Sequence, residues 1–374
     1  MTFEERLVAT SFRGPGFDQI RLVAATVVLL HHASPAGAFE GEYPDPLFKY
    51  SGGFMQFGLL AVLVFFAISG FLVTPGLVRS GKVIEYSVHR ILRIFPALCI
   101  VVLVSMLVLG PALTTFSLAS YFSDPVLYLY AKNAVTLAVR YLPGVVSEDN
   151  QPLLVNGSLW TLHFEVLSYG ALALMSILHL LRRRIVFLIS CTVFYAIYVV
   201  MNLEPTTVSL LPDRLVTFVD LFVYFAAGAA LYIFRDRIPF SMALAFGALA
   251  TVLIALPYGL GAVTMPFCLP YIVIVCGLSF LPGQSLVKRD LSYGVYLIHA
   301  PLLVALGVLF PGVRTWWVGA VIVFATALFL SYLSWTFVEG PILRQKKDVS
   351  NWINGRIDAL WATWNKRERA QSCK

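Results

Sequence analysis

An arginine and a histidine inside an apolar run are the first residues here whose chemistry asks for a reason. Arg21 and His32 stand eleven positions apart in the first hydrophobic stretch of the chain. At about 100° per helical residue, eleven steps return to within about 20° of the start, so the two side chains share one helix face. His31, one position earlier, points about 100° away from His32. Polar groups on one stripe of a membrane helix are costly to bury and default to a functional reading. The alternative is that each snorkels to its nearer interface. Histidine is the natural general base near neutral pH. Asp18, three positions before Arg21, is within ion-pair reach of it on a helix.

Three further groups have the same character. In Tyr86-Ser87-Val88-His89-Arg90-Ile91-Leu92-Arg93-Ile94-Phe95-Pro96, Arg90 and Arg93 lie at i and i+3 beside an apolar segment. Two guanidinium groups so placed can grip phosphates through charge-assisted hydrogen bonds, or can simply anchor the chain on the positive side of a membrane. In Asn156-Gly157-Ser158-Leu159-Trp160-Thr161-Leu162-His163-Phe164-Glu165-Val166-Leu167-Ser168-Tyr169, the carboxylate of Glu165 enters an apolar helix with Thr161 and Tyr169 on its face. Such a carboxylate is either functional or the structural partner of a buried arginine or tyrosine. In Leu291-Ser292-Tyr293-Gly294-Val295-Tyr296-Leu297-Ile298-His299-Ala300-Pro301, the residues Tyr293, Tyr296 and His299 form a polar stripe. That stripe either lines a pocket or packs helices through hydrogen bonds.

The elements that must position these residues follow from composition. Of 374 residues 59% are hydrophobic and only 13% charged, and mean hydropathy is +0.81. Soluble domains carry nearer a quarter charged residues, so the fold class is all-α, a polytopic membrane protein. Ten spans are expected, at about 17–38, 53–78, 94–113, 157–181, 185–203, 214–234, 240–256, 263–281, 292–310 and 315–337. With the amino terminus in the cytoplasm, only Lys49, Lys132, Arg140, Arg214 and Arg314 fall outside, and the other 22 lysines and arginines fall inside. That asymmetry predicts both termini cytoplasmic and accounts for the net charge of +7 without nucleic acid. A cleavable leader ending at Ala36-Gly37-Ala38 is the rival for the first span, but the segment before it is not positively charged.

The longest outer loop, about 114–156, is rich in aromatic residues and is expected to be partly embedded or re-entrant. The chain divides into a transmembrane domain over 1–343 and a cytoplasmic basic tail over 344–374. In the tail Val349, Ile353, Ile357, Leu360, Trp361 and Trp364 recur at helical spacing, as in a helix lying on the inner surface against membrane lipid. The five cysteines are dispersed, with no Cys-x-x-Cys pair, so neither a disulfide framework nor a metal site is expected. No glycine-rich phosphate loop is present. Oligomeric state is not legible.

Taken in order, these groups resemble the acyltransferase 3 family of membrane-bound acyltransferases. The resemblance runs from Phe17 to about Leu343. It rests on Phe17-Asp18-x-x-Arg21 with His32, which fits the family's Arg-x10-His element, and on Phe65-Phe66-Ala67-Ile68-Ser69-Gly70-Phe71-Leu72. It continues through Arg90-x-x-Arg93-x-x-Pro96, Ser158-Leu159-Trp160-Thr161-Leu162-x-x-Glu165 and Ser292-Tyr293-x-x-Tyr296-Leu297-x-His299-x-Pro301, and closes on Phe337-Val338-Glu339-Gly340-Pro341. The chain departs from the family pattern at Val166, where members often carry an acidic residue or glutamine.

The resemblance implies an O-acyltransferase of a bacterial inner membrane. It would move an acyl group, usually acetyl, from cytoplasmic acetyl-CoA or another acyl-CoA to a hydroxyl of a glycan or small molecule. Acyl transfer needs a base, a cation for developing charge and a site for nucleotide phosphates. His32, Arg21, Asp18 and Glu165 are the candidates for catalysis, and Arg90 and Arg93 for the donor phosphates. Trp160, Tyr169, Tyr296 and His299 are expected to line the pocket. His32 lies about 16 Å beyond Arg21 along a helix, which suggests a tunnel for the acyl-pantetheine arm, with His32 and Glu165 facing across an outer cavity. Acylation of a macrolide-like small molecule, succinyl transfer, and a transporter with buried charges remain open alternatives.

Overall fold

The structure, a computed structural model, describes residues 1–12, 14–34, 45–136, 139–147, 149–203, 211–279, 289–313 and 315–357. The suspected leader cleavage site at 36–38 and the tail beyond 357 lie outside the described residues. Among those described, extended pairing is confined to two isolated bridges, Thr2 with Pro239 and Val146 with Pro152.

A short amino-terminal helix, α1 (Phe3–Ala9), begins with a reciprocal cap between Thr2 and Glu5. Each of the ten expected segments then contains a helix. These are α2 (Phe17–Ala33), α3 (Phe57–Ser80), α4 (Val83–Val104), α5 (Trp160–Ile177) and α6 (Arg184–Leu203). There follow α7 (Asp213–Ile233), α8 (Met242–Ala255), α9 (Gly261–Gly277), α10 (Ser292–Leu309) and α11 (Trp316–Ser334). Six stretches are long and apolar enough to cross a membrane: Phe57–Ser80, Val83–Leu113, Arg184–Leu203, Asp213–Ile233, Ser292–Leu309 and Trp316–Arg344. Helix α2 is one residue short of that length, and α5 is diluted by Thr161, His163, Glu165 and Ser168. The helices outside this group of six thus include two that carry chemistry. Helix α4, in the third expected span, starts at Val83, well before the expected 94, so Arg90 and Arg93 sit within a continuous helix and not before it.

Close backbone contact organises the centre. A Cβ added to Gly70 on α3 would lie 1.9 Å from the Phe225 carbonyl oxygen, and one on Gly228 of α7 would lie 2.1 Å from that of Ala67. Only glycine permits this approach, in which dispersion between two backbones replaces the missing hydrophobic drive between membrane helices. Helix α2 lies against α3, α10 and α11, so its polar stripe is enclosed by the elements bearing the other motifs.

Two wide helical turns have one cause. Ser105–Leu109 and Trp335–Glu339 are π-turns, and each runs straight into Gly-Pro, at Gly110-Pro111 and Gly340-Pro341. Proline offers no N–H and its ring crowds the carbonyl four residues back, so the turn opens. After the first, the Tyr121 hydroxyl donates to the Met106 carbonyl at 2.8 Å. Tyr121 and Tyr130 are fully buried there, so the 114–156 connection folds back as short helices, Leu118–Ser123 and Pro125–Tyr130, against the bundle. The second turn carries Glu339 to the interior, 3% exposed. Residues 346–357 are helical, with Val349, Ile353 and Ile357 half-buried and Trp352 and Arg356 exposed.

Candidate active site

Both members of the stripe on α2 meet α10. Arg21 Nη1 is 3.3 Å from Asp290 Oδ2, just before that helix, and His32 Nδ1 is 2.9 Å from His299 Nε2, about two turns into it. The His32 and His299 rings lie nearly parallel, 9° apart with centroids at 5.2 Å. His32 is half-buried and His299 fully buried. No protein group approaches His32 Nε2 within hydrogen-bond distance among the described residues.

His31 turns elsewhere, as helix geometry requires. Its Nδ1 is 3.3 Å from Asp45 Oδ2, and its ring lies where a Cβ on Gly58 would be. Asp45 in turn caps the Pro46–Tyr50 helix through Leu47 N–H at 2.8 Å and accepts from Phe57 N–H at 2.9 Å. His31 therefore ties the connection between α2 and α3 to the bundle.

The charged end is an ion-pair chain. Asp290 bridges Arg21 and Arg93, the latter at 2.5 Å, and Arg93 also binds Glu339 at 2.8 Å. The Arg93 guanidinium lies over Tyr293 and Trp335, at 5.3 and 5.8 Å from the ring centroids. Ser292 donates to Asp290 from both its hydroxyl and its N–H, and Ser334 donates to Glu339. Burial alone would raise the Asp290 carboxyl, but Arg93 and Arg21, with the Ser292 bonds, hold it below the ordinary carboxylate range. Asp18 lies near this chain without closing an ion pair to Arg21. Asp290, from another helix terminus, takes the place expected for it because it reaches both guanidiniums at once.

Glu165 belongs to the same region. Its Oε1 accepts from the Tyr169 hydroxyl at 2.5 Å and from Ser69 at 3.1 Å, leaving Oε2 without a protein partner among the described residues. Arg90 rests over the Tyr169 ring at 5.8 Å and makes no ion pair among the described residues. Arg21, Arg90, Arg93 and Asp290 wall a cleft of about 80 Å³ together with Thr161, Glu165, Tyr169 and Tyr296. Trp160 stands off this wall, packed edge-on against Phe164. His299 stands behind His32. Glu165 lines this cleft and His32 does not: His32 meets His299 of α10, while Glu165 meets Ser69 of α3 and Tyr169.

The Asn156–Tyr169 and Leu291–Pro301 motifs lock together through one missing hydrogen. Pro301 cannot donate to the carbonyl of Leu297, four residues back, and the Asn156 amide donates to it instead at 3.0 Å. Ser158 donates to Asn156 Oδ1 and to the Tyr296 carbonyl, while the Tyr296 hydroxyl donates to the Ser158 carbonyl at 2.7 Å and meets Thr161. Tyr293 donates to the Ile94 carbonyl at 2.7 Å, joining α10 to α4. Asp290, Glu339 and Asn156 are the residues that spacing did not single out. The signal was available, since Arg21 and Arg93 cannot be buried without carboxylates nor Pro301 without an outside donor.

Comparison with known proteins identifies the family. The Acyl_transf_3 family, an acyltransferase domain, matches residues 15–336. The chain belongs to the acyltransferase 3 family. It is 30% identical over 341 residues to an "O-acetyl transferase" of Shigella phage Sf6, covering 87% of this chain and 95% of the relative. It is 32% identical over 362 residues to "Nodulation protein 10" of Rhizobium leguminosarum bv. viciae, covering 89% and 94%. No solved structure matches it. This acyltransferase 3 protein is thus an O-acetyltransferase-type enzyme on an all-α, multi-pass membrane scaffold.

Proposed function

We propose that this enzyme takes its acyl group, acetyl by preference, from acyl-CoA and delivers it to a hydroxyl of a carbohydrate such as a cell-surface polysaccharide or lipid-linked oligosaccharide. The observation that carries the reading is the polar stripe of α2, which brings Arg21 to a cationic cleft and His32 to a separate point about 16 Å along the same helix. One residue cannot serve both ends of a reaction site so separated. Arg21 and Arg90 act at the nucleotide end, where phosphate charge is greatest, and His32 acts at the acyl end. The pantetheine arm bridges the two.

Arg90 is the principal phosphate contact, because it is the cleft arginine without a carboxylate partner among the described residues. Arg93 is already held by Asp290 and Glu339, so it shapes the cleft and adds its remaining donors. Glu165 offers Oε2 to the ligand, with Tyr169 and Ser69 fixing its orientation. Asp18 tunes the charge around Arg21. At the acyl end, the acceptor hydroxyl gives its proton to His32 Nε2 as its oxygen attacks the thioester carbonyl. The tetrahedral intermediate expels the CoA thiolate, which takes that proton from the imidazolium, leaving an ester and free CoA. The charge asymmetry supports a cytoplasmic donor at a bacterial inner membrane, with the acceptor reached from the outer half.

The test uses the purified full chain in lipid vesicles, acetyl-CoA labelled in its acetyl group, and the glycan fraction extracted from the host membrane. Base-labile label in the glycan with equal release of CoA is the expected result. Glycan left unlabelled while a non-carbohydrate acceptor becomes labelled would overturn the acceptor class.

A further inference from the structure

The site leaves one polar contact unused: the buried imidazole of His299 against His32. His299 is fully buried, so it cannot touch substrate, yet it has two defined neighbours. Its Nδ1 lies 3.1 Å from the carbonyl oxygen of Val295, and its Nε2 lies 2.9 Å from His32 Nδ1. A carbonyl oxygen only accepts. The neutral ring must therefore carry its proton on Nδ1, which leaves a lone pair on Nε2. The contact with His32 is then possible in one sense alone, with His32 Nδ1–H donating. A second proton on His299 would place a cation in a site with no carboxylate in contact with it among the described residues, a costly alternative.

We propose that His299 is a positioning residue: the Val295 carbonyl fixes the His299 tautomer, and His299 Nε2 in turn fixes His32 with its proton on Nδ1 and its lone pair on Nε2. The inference rests on His32 being the base, as argued above, and adds what keeps it competent. Imidazole free to take either tautomer presents the wrong nitrogen part of the time. Here the half-buried His32 keeps its basic nitrogen on the side with no protein partner among the described residues. The same bond serves the cycle. When His32 Nε2 takes the acceptor proton, the Nδ1–H of the imidazolium still donates to His299, which shares the charge without receiving the proton. Pro301 and Asn156 hold this part of α10 in register, since Asn156 bonds the carbonyl of Leu297, two residues before His299.

The experiment compares wild type, His299→Gln, His299→Leu and His32→Gln as full chains in lipid vesicles, with labelled acetyl-CoA and the host glycan fraction. Glutamine can present its amide oxygen where Nε2 stood; leucine fills space and accepts nothing. His299→Leu should lower kcat by about 10²–10⁴-fold, the range for losing a positioned base or its tautomer, with KM for acetyl-CoA unchanged. His299→Gln should recover activity to within about tenfold of wild type, because the acceptor atom is restored. Nitrogen-15 NMR of histidine-labelled protein gives an independent reading, with the His32 signals identified by their loss in His32→Gln. Wild type should show His32 protonated on Nδ1 and bare on Nε2, and His299→Gln should keep that state. A wild-type His32 protonated on Nε2 would overturn the inference whatever the kinetics. Equal kcat in wild type and His299→Leu would do the same. An active His32→Gln would instead sink the assignment of the base, leaving the NMR to decide the tautomer.

Discussion

Removing Asp290 should do more damage than removing any single hydrogen-bonding group near the cleft. Its carboxylate is shared by Arg21 and Arg93, with side-chain exposures of 12% against 21% and 21%. Water screens these contacts little, so the weak values of surface pairs do not apply. Breaking a buried pair from one side typically costs about 3–5 kcal/mol, because the remaining charge stays unpaired. Arg93 keeps Glu339, whereas Arg21 keeps no carboxylate contact among the described residues, so the lower end, about 3 kcal/mol, is expected for Asp290→Ala. An entropy of roughly 2 cal/mol/K per residue converts this to a fall in Tm of about 4 °C or more, since helices retained in detergent gain less entropy on unfolding.

The assay is thermal denaturation of the purified chain in detergent, followed by circular dichroism. The double mutant with Arg21→Gln isolates the pair, and most of the loss should vanish when both charges are removed. The sign with pH is fixed as well. The Asp290 pKa is lowered on folding, so its contribution is present above the ordinary aspartate range and is lost as pH falls through the folded value. A Tm for Asp290→Ala within 1 °C of wild type, or additive single and double mutants, would refute the reasoning.

Further outcomes follow from particular contacts. Gly228→Ala places a methyl 2.1 Å from the Ala67 carbonyl and must part α3 from α7, so a loss of about 3 kcal/mol or a failure to recover folded protein is expected on the same assay. Asn156→Ala leaves the Leu297 carbonyl without its outside donor and should cost about 1–3 kcal/mol, with Asn156→Asp no better because a carboxylate has no donor to give. Arg90→Ala should raise the apparent KM for acyl-CoA with little change in Tm, and Arg90→Lys should recover only part of the affinity; an unchanged KM would remove Arg90 from donor binding.

Much of this was legible because helix geometry is rigid. The eleven-residue offset put Arg21 and His32 on one face, and that face meets α10 at both points; the one-residue step sent His31 to Asp45. What was not legible is partnership between distant segments. Arg21 had an aspartate three residues away in sequence, yet Asp290 took the pairing, because a residue at a helix terminus can reach two arginines at once. Glu339 was visible in its motif, but its inward turn depends on a π-turn whose cause, the following Gly340-Pro341, is read only once the helix is known to continue. Helix α4 begins earlier than hydropathy indicates, because Arg90 and Arg93 depress the average of a segment that is nonetheless helical.

The assignment of the base is the centre of the account, and the two adjacent histidines allow it to be tested within one turn of helix. Label transfer from acetyl-CoA to the host glycan fraction should be measured for His31→Ala and His32→Ala in vesicles, at matched amounts of folded protein. His32→Ala is expected to lose about 10²–10⁴-fold in kcat, while His31→Ala lowers Tm through its lost contact with Asp45 and keeps kcat near wild type. Full activity in His32→Ala together with a dead but folded His31→Ala would contradict it.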